Sequence, residues 1–125
     1  MRRHQDWLRQ AKRKVRSARA SLEAEIYEDA CFLSQQGAEM AVKAVHVSRH
    51  NRPEGHSILH LLESVAHVPP EVTEAARVLD RYYIPTRYPD AWQTGAPMDY
   101  YDRPTAENAI ELAARILEFA EGEIA

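Results

Sequence analysis

The chain has 125 residues, 45% of them hydrophobic and 28% charged, with a formal net charge of −3. That length supports one hydrophobic core but not two, so residues 1–125 read as a single domain. The apolar content excludes a disordered chain, and no apolar run approaches the roughly 20 residues of a membrane-spanning helix. The opening MRRHQDWLRQAKRK has basic residues with no apolar stretch behind them, which does not read as a secretory or twin-arginine leader. The single cysteine, Cys31, has no partner for an internal disulfide, and a cytoplasmic location is expected.

The small net charge hides an asymmetry. Residues 1–19 carry eight Lys and Arg against Asp6 alone, a local charge of +7 that leaves −10 for the rest. Such a segment can meet phosphates or lie against acidic neighbours, and pairing with acidic neighbours fits better because the basic residues surround the helix.

In chain order, residues 5–24 place Trp7, Ala11, Val15, Ala18 and Leu22 on one helical stripe. Residues 27–49 form a second helix with Ala30, Leu33, Gly37, Met40, Ala41, Ala44 and Val47. Its small residues invite a close neighbour, and Gly37 costs on the order of 1 kcal/mol in helix propensity, for which packing is the expected reason. Pro53 and Gly55 in HNRPEGHS mark a break, after which Ser57 caps a short helix bearing Ile58, Leu61, Leu62 and Val65. VPPE breaks the chain again, with Pro70 in the first turn of a helix carrying Val72, Ala75, Ala76 and Leu79. Residues 84–104 contain four of the seven prolines and form a loop, which the density of tyrosine and tryptophan marks as ordered. Thr105 reads as the N-cap of a last helix with Ala109, Ile110, Ala113, Ile116, Leu117 and Ala120. The expected fold is all-α: an up-and-down antiparallel bundle of four to five helices with a long Pro/Tyr-rich loop before the last.

Three features, YEDACFLSQQGAEMAVKAV at 27–45, HS at 56–57 with LL at 61–62, and LDRYYIPTRYPD at 79–90, together resemble the HEPN domain family. The resemblance spans nearly the whole chain, and LDRYYIPTRYPD is its most specific part. It implies a helical bundle, usually a homodimer, with a nucleotide- or nucleic-acid-related role beside a minimal nucleotidyltransferase, often in a toxin–antitoxin-like pair. It also implies, for the ribonuclease members, an R-x4–6-H motif that acts without metal. This chain departs from that motif: Arg81 and Arg87 stand at the expected place, and the last histidine is His67. Arg49 and His56 fit the spacing but fall on another element.

The candidate ligand residues are Arg87, Tyr83, Arg81, Asp80, Lys43 and His56. A guanidinium at Arg87 matches phosphate with two parallel hydrogen bonds, but a pair with Asp90 or Asp80 that pins the loop is the favoured reading. One of Tyr82 and Tyr83 continues the core stripe from Leu79, leaving the other to stack on a base or fill an interface. Asp80 is expected to orient Arg87 rather than hold a metal. Lys43 is expected on a solvated helix face, and His56 to order its turn. His46/His50 and His56/His60 have the i,i+4 spacing of metal pairs, but without an HExxH carboxylate neither metal nor cofactor is expected. No P-loop or GxGxxG cradle is present, so any nucleotide site must be built from side chains on helices.

Overall fold

Two long helices pack along each other because the residues between them are small. The computed structural model describes residues 3–125; Arg2, which the charge count above includes, lies outside them. Helix α1 is Arg3–Glu23 and α2 is Tyr27–Ser48, followed by α3 at Ile58–Leu62, α4 at Pro70–Leu79 and α5 at Arg103–Ile124. The described residues contain no strand. Helix α2 is the centre of the up-and-down bundle: it packs on α1 and α5 and also touches α3 and α4.

At Gly37 the backbones of α1 and α2 approach closely. A Cβ there would lie 2.9 Å from Val15 Cγ2 and 3.2 Å from the Ala11 carbonyl oxygen. This is the packing reason expected from the sequence.

The stripes differ from the expected ones in a way that follows from this centrality. In α1, Leu8 is buried and Trp7 only half-buried, so the stripe starts one residue later. In α2, Leu33, Met40 and Val47 are half-buried, whereas Cys31, Ser34, Gln35, Glu39, Lys43 and His46 are buried. A helix surrounded by neighbours has no single apolar face, and its polar residues go inside with partners. Ser34 Oγ donates to the Ala30 carbonyl at 2.7 Å. Cys31 is fully buried, and desolvation, helped by Asp102 and Glu28, pushes its thiol up to about 12. It is a core residue rather than a nucleophile.

The helix ends also correct the sequence reading. Helix α1 closes with Ile26 N–H donating to the Ser21 carbonyl and Glu25 N–H to that of Leu22, with Glu25 left-handed at φ 64°. Helix α2 closes in the same way: Asn51 N–H donates to the His46 carbonyl, His50 N–H to that of Val47, and His50 has φ 61°. The left-handed His50 stops α2 before Pro53 and Gly55 are reached. The N-cap of α5 lies three residues before Thr105: it is Asp102, accepting from Thr105 N–H at 3.0 Å, with Pro104 in the first turn. The Thr105 side chain, together with its backbone N–H, holds the Asp102 carboxyl below its ordinary value. The expected cap residue is thus the donor to the real one.

The long segment before α5 is ordered by its aromatics. Trp92 donates from Nε1 to the Pro85 carbonyl at 2.8 Å and stacks on Tyr100 with ring centres 3.8 Å apart. Tyr101 meets Trp92 and Tyr82 edge-on, at 6.0 and 5.9 Å. Burial pushes the phenol of Tyr82 up and that of Tyr101 up to about 12. Short 3₁₀ turns at Asp80–Tyr82, Pro89–Ala91 and Pro97–Asp99 fill the path between.

Replacing Gly37 by Ala should destabilise the protein by about 1–3 kcal/mol in urea unfolding, despite the gain in helix propensity, because the added methyl meets backbone as well as a side chain.

Candidate functional site

Asp80 sets the position of everything around it. Its carboxylate accepts from Ile58 N–H at 2.8 Å, Leu59 N–H at 3.1 Å and Ser57 Oγ at 2.9 Å. Ser57 in turn caps α3 by accepting from His60 N–H at 3.1 Å. The end of α4 is thereby tied to the start of α3, and the unpaired N–H groups of that first turn are satisfied. The expected role of Asp80 as a partner of Arg87 is corrected. Its oxygens are already used on α3.

Arg87 is held without a carboxylate. Its Nε donates to the Tyr83 carbonyl at 2.7 Å. Its guanidinium carbon lies 4.4 Å from the centre of the Tyr83 ring, 4.6 Å from Phe32 and 5.0 Å from Tyr88. Among the described residues it forms no ion pair with Asp90, Asp80 or any other acid. Aromatic faces attract the planar cation and occupy the place expected for a loop-pinning carboxylate. The half-buried Arg87 also borders a groove of about 320 Å³ shared with Glu28, Asp29, Thr86, Pro97 and Met98.

Tyr82 packs against the core, as expected for one of the two tyrosines. Tyr83 is equally half-buried and packs within the chain, against Phe32, His56 and Arg87. The Tyr83 ring stacks on the His56 imidazole, with centres 4.5 Å apart and planes inclined by 18°. His56 and Arg87 therefore share one ring as a neighbour, although 31 positions separate them in sequence.

Behind His56 lies a polar ladder on α2. His56 Nδ1 is 3.3 Å from both oxygens of Glu39, whose side chain is 6% exposed, while that of His56 is 55% exposed. Lys43 Nζ donates to Glu39 at 3.0 Å, and its side chain is 11% exposed, so it is a buried partner rather than a solvated lysine. Gln35 Nε2 donates to Glu39 at 3.2 Å and to the His56 carbonyl at 3.0 Å. The i,i+4 spacing of Gln35, Glu39 and Lys43 puts all three on one face, with Glu39 N-terminal to Lys43, the favourable order. Each of these side chains has a hydrogen-bond partner, as buried charge requires. Sequence reasoning missed Gln35 and Glu39; the run Q35-x3-E39-x3-K43 inside an alanine-rich helix is the signal that marks them.

Two groupings weighed from the sequence do not form among the described residues. Arg81 is exposed and stands apart from the Tyr83–Arg87 cluster. The histidine pairs do not share helix faces, because His50 lies past the end of α2 and His56 precedes the cap of α3. His46 instead meets the Leu61 carbonyl with Nε2 at 2.7 Å. Among the described residues no group of three or more His, Cys, Asp or Glu is placed to hold a metal ion. Arg49, which fits the motif spacing with His56, pairs with Glu123 at 2.9 Å. On α1, Lys12 reaches an acidic neighbour, Glu121 of α5, at 3.1 Å, while Arg3 and Arg9 pair with Asp6 of their own helix.

A family model described as the HEPN domain matches residues 4–123. The chain belongs to the HEPN domain family. Solved structures similar to this HEPN domain include TT1696 from Thermus thermophilus, at 48% identity and a TM-score of 0.95, with 98% of this chain and 99% of that one covered. ST0689, an archaeal HEPN homologue, matches at 41% identity and a TM-score of 0.85, with 98% of each chain covered. A HEPN domain protein from Thermotoga maritima, tm0613, matches at 33% identity and a TM-score of 0.75, covering 94% of this chain and 95% of that one. No curated protein matches the chain. No described helix is long and apolar enough to cross a membrane.

Replacing Asp80 by Ala leaves the first N–H groups of α3 without their acceptor. It should cost about 1–3 kcal/mol in urea unfolding and speed amide exchange at Ile58 and Leu59 ahead of the rest of the core.

Proposed function

We propose that this HEPN domain is a binding module for a phosphate-bearing nucleotide, received at the surface formed by Tyr83, Arg87 and His56. The observation that carries this reading is Arg87: a guanidinium held among three aromatic rings and in direct ion-pair contact with no carboxylate among the described residues, with Glu28 and Asp29 lining the same groove. A cation that is not spent on an ion pair can receive an anion, and its remaining N–H groups offer the fork that phosphate accepts. Asp80 supports the reading indirectly, by fixing the segment from which Tyr83 and Arg87 project. Lys43 and Arg81 drop out as ligand contacts, the first because it is spent on Glu39 and the second because it is exposed and makes no contact with the Tyr83–Arg87 cluster.

The working form in this proposal is a homodimer beside a nucleotidyltransferase partner, as in a toxin–antitoxin-like pair. Exposed apolar side chains next to the site support a protein contact there: Ile84 is 53% exposed, Tyr88 50% and Met98 68%.

A second reading, RNA cleavage without metal, is favoured by one specific feature. His56 and Arg87 meet at one ring although the sequence lacks the family's linear motif, and Glu39 orients the imidazole as an acid–base group needs. A purely structural role for the loop remains the outcome if neither ligand nor RNA is engaged.

Titration with ATP, GTP and a short single-stranded RNA in EDTA separates these readings. Saturable nucleotide binding should weaken at least about tenfold in Arg87→Ala with the fold intact by circular dichroism. RNA cleavage abolished in Arg87→Ala and His56→Gln would favour the second reading. Absence of both in a folded dimer would leave the loop as a structural element.

A further inference from the structure

We infer that the outer face of α1 is a docking strip for the sugar-phosphate backbone of a nucleic-acid strand, held by Arg9, Arg13 and Arg16. At 3.6 residues per turn these three fall within about one sixth of the helix circumference, opposite the buried Leu8, Ala11, Val15 and Ala18. All three are exposed, as are Lys12 and Arg19 beside them. With a rise of about 1.5 Å per residue, the row from Arg9 to Arg16 covers about 10 Å of a rigid helix. Arg9 and Arg13 also line a groove of about 340 Å³ with Arg3, Asp6 and Gln10.

The fold leaves most of this charge without a partner. The sequence favours acidic neighbours for the basic segment, and the structure provides them only in part. Lys12 reaches Glu121, and Arg9 meets Asp6 in an exposed pair, where solvent leaves the attraction weak and an incoming anion can compete. Arg13, Arg16 and Arg19 meet no carboxylate among the described residues. Glu23, the other acid of α1, lies beyond the row at the end of the helix. Among Arg9, Lys12, Arg13, Arg16 and Arg19, five pairs stand three or four residues apart: 9 with 12 and 13, 16 with 12, 13 and 19. Like charges at those spacings oppose the helix, and an anion laid along the row relieves them.

What the row lacks identifies its occupant. A protein partner needs an apolar anchor at the centre of its footprint, and a helix lying on a lipid surface needs an apolar face. The exposed large apolar side chains are Ile26, Ile84, Tyr88, Met98 and Tyr100, none of them on α1. The half-buried Trp7 faces Met40 of α2, about a third of the circumference away from the arginines. A phosphate backbone asks only for charge and N–H donors, which guanidinium groups present as a fork. Contacts of this kind position a strand without reading its bases. Residues 20–125, at −10, repel a polyanion, so contact concentrates on α1. The strip is separate from the Tyr83–Arg87 surface and does not rest on the nucleotide reading.

The test is fluorescence anisotropy of a labelled oligouridylate of about 20 nucleotides, in EDTA, with the full chain across about 30–300 mM salt. Three phosphate contacts on a single strand give a log–log salt slope of about −2. The variant Arg9→Gln/Arg13→Gln/Arg16→Gln should lose most of that slope and at least about tenfold in affinity at low salt, with its fold intact by circular dichroism. Arg13→Gln alone, the milder change, should reduce the slope by about 0.7. Arg52→Gln/Arg77→Gln/Arg115→Gln removes three exposed arginines from other parts of the chain and should keep the slope, as should Arg87→Ala. A DNA duplex of similar length separates the two sources of phosphate: tighter binding with a slope near about −3 would assign the strip to the double helix. Equal losses in the two triple variants would reduce the effect to net charge and overturn the inference. So would loss in Arg87→Ala with none in the α1 variants, binding to polyglutamate as tight as to RNA, or no saturable binding at low salt.

Discussion

The site depends on one carboxylate. Asp80 accepts three hydrogen bonds from the start of α3 while sitting at the end of α4, so two short elements that have little surface of their own are fixed to each other. A five-residue helix is far below the length that is stable alone, and α3 persists because its ends are satisfied and Ile58, Leu61 and Leu62 are buried. The same bond brings residues 56–57 next to residues 80–83. Without it Tyr83 would have no fixed relation to His56, and Arg87, bonded to the Tyr83 carbonyl, would lose its place as well.

Beneath this surface α2 combines two kinds of packing. Toward α1 it is small and apolar, with Gly37 allowing near contact of backbones. Toward the segment preceding α3 it presents Gln35, Glu39 and Lys43, a buried ladder in which each group is hydrogen-bonded. Buried ion pairs contribute little net stability, because desolvation offsets most of the attraction. The ladder's contribution is orientation: it holds Nδ1 of His56 against Glu39.

Much of the fold was legible in the sequence, and the failures have physical causes. Helix positions followed from apolar spacing, and the cap at Ser57 and the place of Pro70 in the first turn of α4 followed from local chemistry. The N-cap of α5 was misplaced because Asp102 and Thr105 are both good cap residues three positions apart, and only the course of the loop decides between them. The end of α2 was placed to within one residue, but its cause was not legible, because a left-handed histidine leaves no mark like that of glycine. At the site, Tyr83, Arg87 and His56 were visible as candidates, but their partners were not. Arg87 was expected to seek an acid and instead has aromatic faces. Lys43 was expected in solvent and is buried, because the stripe seen in α2 described only the side that meets α1.

The order of these contacts along the chain bears on how the molecule assembles. Helices α1 and α2 are neighbours in sequence joined by a short turn, so their contacts close small loops and can form early at low entropic cost. The site joins three distant stretches, around Glu39, His56 and Tyr83–Arg87, and closes only after the chain has returned through α4. A ligand resting on His56 and Arg87 would therefore act as a cross-link between late-docking segments. It would slow the opening of that end of the bundle more than it would protect the helical hairpin formed by α1 and α2.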